Sequence, residues 1–371
     1  MNQIDLHSSG NTSQVLKPKY NKSGEFYRVL TERVNQAIPL GSRNDAASVY
    51  LKALFFIVMY IALFVLIYSS SSVAIQLVSF SFLGFIIAGI GFNFFHDSIH
   101  GAMSSNKKIN QIFAHISCSF TGASRYLWYY KHNILHHQYP NIQKWDDDLE
   151  TRKNLRLTNF QEQSVRYRYQ YLYCPIIYAF TTLEWIFVKD FVQYFSLQMN
   201  EDQKIPKFTQ SRKIEFWSAK ITFLIITVII PLCFIPVWVW ALGTLLMHIV
   251  TSLILASIFQ LAHINPECEI TNVNSASEGQ VGADWAEHQL RTTLDFAVDN
   301  RFLTWYSGGL NLQVPHHLYP SISHKHYPEI QKILIKTAKE FNLKYNYSPT
   351  YFGALKGHFL SLKKLGETKA I

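Results

Sequence analysis

The chain has 371 residues, 49 % of them hydrophobic and only 16 % charged, with a formal net charge of +9; its length allows one large domain or two ordinary ones. No Lys/Arg run interleaved with aromatics marks a nucleic-acid groove, so no nucleic-acid partner is expected. The four cysteines (Cys118, Cys174, Cys233, Cys268) form no C-x-x-C pair, which argues against a disulfide framework, a thiolate zinc site or a built-in iron–sulfur centre.

Residues 1–45 read as a polar N-terminal tail with an amphipathic piece near Phe26–Val34, and residues 46–371 as one membrane-embedded domain. No long apolar run precedes Ser42, so no cleavable signal peptide is expected. From Ala53 to Phe95 there are 43 consecutive residues without Asp, Glu, Lys or Arg. At about 1.5 Å per helical residue this covers roughly 65 Å, two passes across a hydrocarbon core of about 30 Å. Spans are predicted at 51–68 and 73–95, the second ending on His96. Residues 109–130 read as a short interfacial helix, and a polar, acidic loop follows at Trp145–Glu150. The aromatic stretch 165–196 contains Glu184, Lys189 and Asp190, which suits an amphipathic interfacial helix. A second uncharged run of 42 residues, Ile221–Ala262, is interrupted only by His248. It predicts spans at 220–237 and 240–262, the last ending at His263. Beyond Arg291 the chain reads as amphipathic and helical, with a helix at Tyr327–Phe341.

All 34 Lys and Arg fall in three blocks, Lys17–Lys52, Lys107–Lys220 and Arg291–Lys369, while the tips near Ser69–Ser72 and Phe234–Val239 carry no charge. The positive-inside bias therefore places the three blocks and both termini on the cytoplasmic side. The predicted fold is an all-α integral membrane protein with four spans in two hairpins under a cytoplasmic helical cap. The positive charge reads as adhesion to anionic lipid headgroups.

Seven of the fifteen histidines fall in three clusters: His96-Asp97-Ser98-Ile99-His100, His132-Asn133-Ile134-Leu135-His136-His137, and Gln313-Val314-Pro315-His316-His317. Residues four apart share a helix face, so each of the first two clusters can point two imidazoles at one place. Gln313 and His317 have the same relation, although Pro315 makes regular helix there less certain. His263 stands at the matching end of the fourth span. Eight imidazoles exceed the needs of one tetrahedral zinc and suit two metals. A redox metal pair beside lipid points to O₂ activation and attack on an unactivated C–H bond. No Glu-x-x-His occurs, so such a pair is histidine-based, unlike the carboxylate sites of soluble bundles. His248, mid-span, reads as a hydrogen-bonded membrane histidine. His288, His324 and His326 read as supporting or surface residues, and His7, His115 and His358 as incidental. Arg291 and Asp146–Asp148 are candidates for supporting the metal site or a lipid headgroup, but fit plain surface charges better.

In this order and spacing, H-D-x-x-H, H-x-x-x-H-H and Q-x-x-H-H resemble the membrane fatty acid desaturases. The Gln opening the third box resembles the front-end subclass, which places a new double bond between an existing one and the carboxyl end. The stretches "FFHDSIHGAMSSNKKIN", "YLWYYKHNILHHQYPNI", "HQLRTTLDF" and "GGLNLQVPHHLYPSISHKHYPEI" are similar to bacterial and cyanobacterial Δ6 enzymes. The resemblance extends from about Tyr50 to Tyr351. It implies a kinked acyl tunnel and two irons held by His96, His100, His132, His136, His137, His263, Gln313, His316 and His317. Stearoyl-type relatives have His in the place of Gln313 and an Asn one turn before the residue matching His263. Here that turn reads Phe259-Gln260, which leaves the coordination of one iron open.

The implied reaction uses O₂ and two electrons to introduce a cis double bond into an acyl-CoA or acyl-lipid chain. Front-end enzymes often carry a fused cytochrome b5 domain with a His-Pro-Gly-Gly motif; that motif is missing, so a separate ferredoxin or cytochrome b5 donor is expected. A lipid hydroxylase or sphingolipid desaturase on the same scaffold is the first alternative, and a membrane metal transporter the second. Transporters need polar ligands along a path through the membrane, whereas these ligands gather at one face. The inner membrane of a bacterium is the expected location.

Overall fold

The structure, a computed structural model, describes residues 16–22, 24–151, 153–273 and 277–369; His7 lies outside them. The polar segment ahead of residue 46 contains the helix Glu25–Ala37, which buries Phe26, Leu30 and Val34, one residue per turn. That apolar stripe packs against Ile330, Leu334 and Ala338 of the helix Tyr327–Glu340. A helix near the start of the described chain and one from its last quarter are thereby held together by the hydrophobic effect.

Four helices are long and apolar enough to cross a membrane: Leu40–Ser69, Val73–His100, Gln210–Phe234 and Val237–His263. They sit where the uncharged runs place them but overshoot several of the expected ends. Lys220 does not mark the start of the third span. It is buried and donates to Asp190 at 2.7 Å and to the carbonyls of Gly122 and Ile186, so the helix runs back to Thr209, whose side chain caps it at Arg212 N. A buried ammonium with three acceptors is compatible with the helix interior. The third span also ends three residues earlier than expected, where Ile235 turns extended and Pro236 opens the fourth helix.

The second span is central, packing along both the first and the fourth. At Gly84 the second span approaches the backbone of the fourth: a Cβ there would lie 2.4 Å from the carbonyl oxygen of Met247, the small-residue contact that lets helices pack where apolar surface gains nothing from leaving lipid. The outer faces keep large apolar side chains uncovered, including Leu51, Leu54, Phe55 and Val58 on the first span. The single helix expected over 109–130 is two: Lys107–Thr121 ends on Gly122 at φ 76°, and a second starts at Arg125, capped by Ser124. In place of one continuous helix at 165–196 there are two, Val165–Ala179 and Thr181–Ser196, bent by 57°, with Pro175 inside the first. Together they are long and apolar enough to count as a broken fifth span. Among the described residues, regular β structure is limited to short pairings such as the two-residue ladder of Asp295–Phe296 with Tyr347–Ser348.

Candidate metal centre

Two π-helical turns shape the site. Gly91–Phe95 interrupts the second span just before the helical turn His96–His100, which ends on Gly101 at φ 73°. Tyr130–His136 carries the second box in the same wide geometry, with His137 N–H bonded to His132 C=O at 2.9 Å. Such i→i+5 turns recur at functional sites. The third box forms a short helix, Gln313–Leu318, with Pro315 in its first turn, where a missing N–H costs nothing. Asp295 Oδ1 accepts from Val314 N–H at 2.8 Å and anchors that helix.

These elements bring all nine sequence-selected residues into one buried cluster. His96, His100, His132 and His316 form one group and His136, His263 and His317 another, with candidate ligand atoms inside each group within 4.8 Å of one another. His137 forms a third group with His316 and His317 and lies between the other two, its ring 4.6 Å from His100 and 4.5 Å from His317. Gln313 joins the second group, Nε2 lying 3.0 Å from His263 Nε2 and 3.3 Å from His317 Nε2. One expectation is corrected. His96 and His100 do serve one group, but His132 and His136 fall in different ones, although their rings stay stacked 5.4 Å apart on the π turn.

Electrostatics suit a cation. Burial, then neighbouring imidazoles, holds His132, His137, His316 and His317 well below the usual histidine range, so these rings are neutral and keep a lone pair. Burial works against charge on His136 as well, but Asp146 and Asp148 outweigh it and raise its pKa. Residues outside the boxes set ring orientation. His317 Nδ1 donates to Gln289 Oε1 at 2.8 Å, His316 Nδ1 lies 3.1 Å from the Tyr327 hydroxyl, and His136 Nδ1 lies 3.0 Å from Asp146 Oδ2. The outward nitrogens are thereby occupied and the Nε2 atoms turned inward, as partners of metal-bound histidines do. His100 Nε2, His136 Nε2, His316 Nε2, both nitrogens of His137 and Gln313 Oε1 are buried without a hydrogen-bond partner among the described residues. Converging lone pairs left unsatisfied are costly unless something electron-poor meets them, and the donor set fits a pair of imidazole-loving metals.

Of the other flagged residues, Asp146 is buried against His136, while Asp147 and Asp148 pair with Lys189 and Lys131 at 2.7 and 2.6 Å. Arg291 stays at the surface with Glu287. His324 lies 2.6 Å from Asp97, His288 donates to the Pro140 carbonyl, and His326 meets the Ser42 carbonyl. His358, read as incidental, is buried between the Ile264 carbonyl and the Tyr178 hydroxyl. Gln289 and Tyr327 were not selected from sequence. Both lie inside the quoted family-like stretches, the only signal that pointed near them.

A cavity of about 410 Å³ runs beside the cluster, lined by Phe95, Trp128, Trp185, Leu255 and Phe259 among others. Trp128 stacks on His132 with ring centroids 5.0 Å apart. Lys131, Asp147 and Lys189 form a charged portion of its wall. A cavity whose inner surface is mainly apolar, with charged and hydroxyl side chains along part of its wall, suits an acyl chain.

Known proteins agree. A family model described as fatty acid desaturase matches residues 71–349. An sn-1 linoleoyl-lipid 6-desaturase of Synechocystis sp. is 31 % identical over 94 % of this chain and 98 % of its own length. Another from Arthrospira platensis is 31 % identical over 97 % and 98 %, and an acyl-lipid (8-3)-desaturase of Physcomitrium patens is 32 % identical over 93 % and 72 %. The metal-ready cluster beside an acyl-sized slot and a family match across most of the sequence lead to one conclusion: the chain belongs to the fatty acid desaturase family and is a membrane acyl desaturase.

Proposed function

We propose that this desaturase is of the front-end Δ6 type and acts on acyl-lipids. Two irons would be held by His96, His100, His132 and His316 on one side and by His136, His263, His317 and Gln313 on the other, with His137 between them. The supporting observation is the stacking of Trp128, a wall of the apolar cavity, on His132. Iron at this site would supply, from O₂, two electrons and two protons, the oxidising power for removing two hydrogens from neighbouring methylenes, both oxygens leaving as water.

The protein's own part is positional. Asp146, Gln289 and Tyr327 hold the imidazoles, and the aromatic walls keep water away and fix one C–C bond of the chain next to the cluster. The charged groups on the cavity wall favour an acyl-lipid over acyl-CoA. Among the described lining residues the lysines are Lys131 and Lys189, and both are paired with Asp147 or Asp148, so neither is spare for a CoA phosphate. The cyanobacterial relatives, named for linoleoyl-lipid, support the same choice and the Δ6 position.

The distribution of Lys and Arg supports four spans in two hairpins, with the cluster and both termini on the cytoplasmic face of a bacterial inner membrane. Residues 46–371 form the desaturase domain in this reading. Electrons come from a separate ferredoxin or cytochrome b5. Expression in a host lacking the activity, followed by gas chromatography–mass spectrometry with derivatisation, tests the proposal. A new double bond on the carboxyl side of an existing one is the expected result. Hydroxy acids without new double bonds overturn it.

A further inference from the structure

The acyl cavity is open along one side. Among its described lining residues, Asn154, Ile176, Phe180 and Thr181 are exposed, Ile176 to 63 % and Phe180 to 47 %, whereas Ile87, Phe223 and Met247 elsewhere on the wall are buried. Ile176 lies in the first of the two bent helices, Phe180 at the bend and Thr181 at the start of the second. Asn154 is tied to the same element, its carbonyl accepting from the Tyr173 hydroxyl at 3.3 Å. Tyr173, Ile176 and Phe180 follow one another at spacings of three and four, on one helix face. The exposed lining residues therefore form a single rim, polar at Asn154 and apolar at Ile176 and Phe180.

Depth decides what faces that rim. At the start of the first helix, Gln170 Nε2 donates to the carbonyls of Arg156 and Leu362, both outside the four spans. Thr182, beyond the bend, meets the fourth span instead. Its N–H donates to Ser252 Oγ at 3.0 Å, and its hydroxyl oxygen lies 3.0 Å from Nδ1 of His248, the mid-span histidine. Ser252 stands eleven residues before His263, about 16 Å along the helix axis, inside the run that holds no Asp, Glu, Lys or Arg. The rim thus descends from outside the spans to hydrocarbon depth. Its outer edge continues into exposed, apolar Leu172 and Val188. The Thr181 hydroxyl turns back to the Ile177 carbonyl, as a polar group beside lipid must.

A slit of this kind admits an acyl chain sideways. The headgroup stays at the polar end, and the second chain of the same lipid stays in the bilayer. No methylene passes through water on the way, so the hydrophobic effect does not oppose the transfer. We propose that the slit is the substrate entrance, taking one chain of an intact diacyl lipid laterally from the bilayer, with Ile176 and Phe180 setting its width. The inference rests on the acyl-lipid reading and deepens it: the substrate is a resident of the membrane and reaches the metal centre without leaving it.

The test feeds a long-chain fatty acid with a diazirine near mid-chain to cells expressing the full chain, so that the probe enters their own glycerolipids. Washed membranes are then irradiated and the adducts located by peptide mass spectrometry. The wild type should carry adducts with the mass of an intact diacyl lipid on the inner wall, at Trp128 or Phe259, as well as on lipid-facing Leu172. Ile176→Trp narrows the slit. It should remove most inner adducts, keep those on Leu172, and slow formation of new double bonds about tenfold, within the range over which association rates vary among variants of one interface. Leu172→Trp, one turn earlier and outside the cavity, should leave the inner adducts and the rate unchanged. Phe180→Trp replaces the Ile176 variant if the latter does not accumulate in the membrane. Lateral entry is overturned by a wild type without inner adducts or with inner adducts of free-acid or acyl-CoA mass. Inner adducts undiminished in Ile176→Trp, or equally lost in Leu172→Trp, overturn it as well. Inner adducts without any new double bond in the wild type count against the desaturase reading and leave the entrance standing.

Discussion

His132 and His316 belong to the four-histidine group, and removing either imidazole takes one donor from it. His132→Ala or His316→Ala should abolish desaturation while leaving membrane insertion intact, read by product analysis alongside membrane fractionation; retained activity in either would sink the site assignment. Gln289 tests the layer behind the ligands. Its Oε1 is the acceptor that fixes the His317 tautomer, so Gln289→Leu should weaken iron retention about 10- to 100-fold with little change in fold. Iron content after dialysis against a graded chelator measures this, and unchanged retention would show that packing alone orients the ring. At this scale the boxes were legible because spacing is written in the sequence. Gln289 and Tyr327 were not, since they lie 28 and 11 residues from the rings they steer and only folding makes them neighbours.

Helix ends and helix contacts depend on information that hydropathy carries only in part. The uncharged runs located the four spans. Lys220 misled because a buried ion pair with Asp190 looks, in sequence, like a boundary. The π turn of the second box was equally hidden, because changing i→i+4 into i→i+5 bonding alters no residue type. His132 and His136 stay side by side, rings 5.4 Å apart, yet fall in different ligand groups. Gly84, by contrast, has a readable role once its neighbour is known. Gly84→Val sets a Cβ against the Met247 carbonyl and should cost about 1–3 kcal/mol by overpacking. A lower unfolding midpoint in detergent is the expected result, and a midpoint equal to the wild type would mean that the spans separate freely there.

For the molecule as a whole, acid sensitivity is set by buried histidines in the region around the cluster. His288 donates Nε2–H to the Pro140 carbonyl, and burial pushes its pKa down to about 4 from 6.5. Above pH 6.5 both folded and unfolded chains hold it neutral. As pH falls from 6.5 to 4 the unfolded chain takes up the proton first, and stability declines by up to about 3 kcal/mol before levelling off. His288→Gln retains a donor without titrating, so its thermal midpoint should fall less steeply across that window than that of the wild type. Matching slopes would assign the acid sensitivity to other groups. Metal content is a further global test: purified protein should contain about two irons per chain, and zinc in their place would contradict the proposed centre.

The π turn at Gly91–Phe95 has a consequence for how the second span serves two masters. One extra residue per turn advances the rotational phase of everything after it by about 100°. The intramembrane part can therefore aim its small residues at the fourth span, while His96 and His100 face a cluster lying in another direction. The turn acts as a swivel between a packing half and a chemical half of one rod. Deleting any single residue from it would leave composition and hydropathy almost untouched, yet would turn the first box away from its partners.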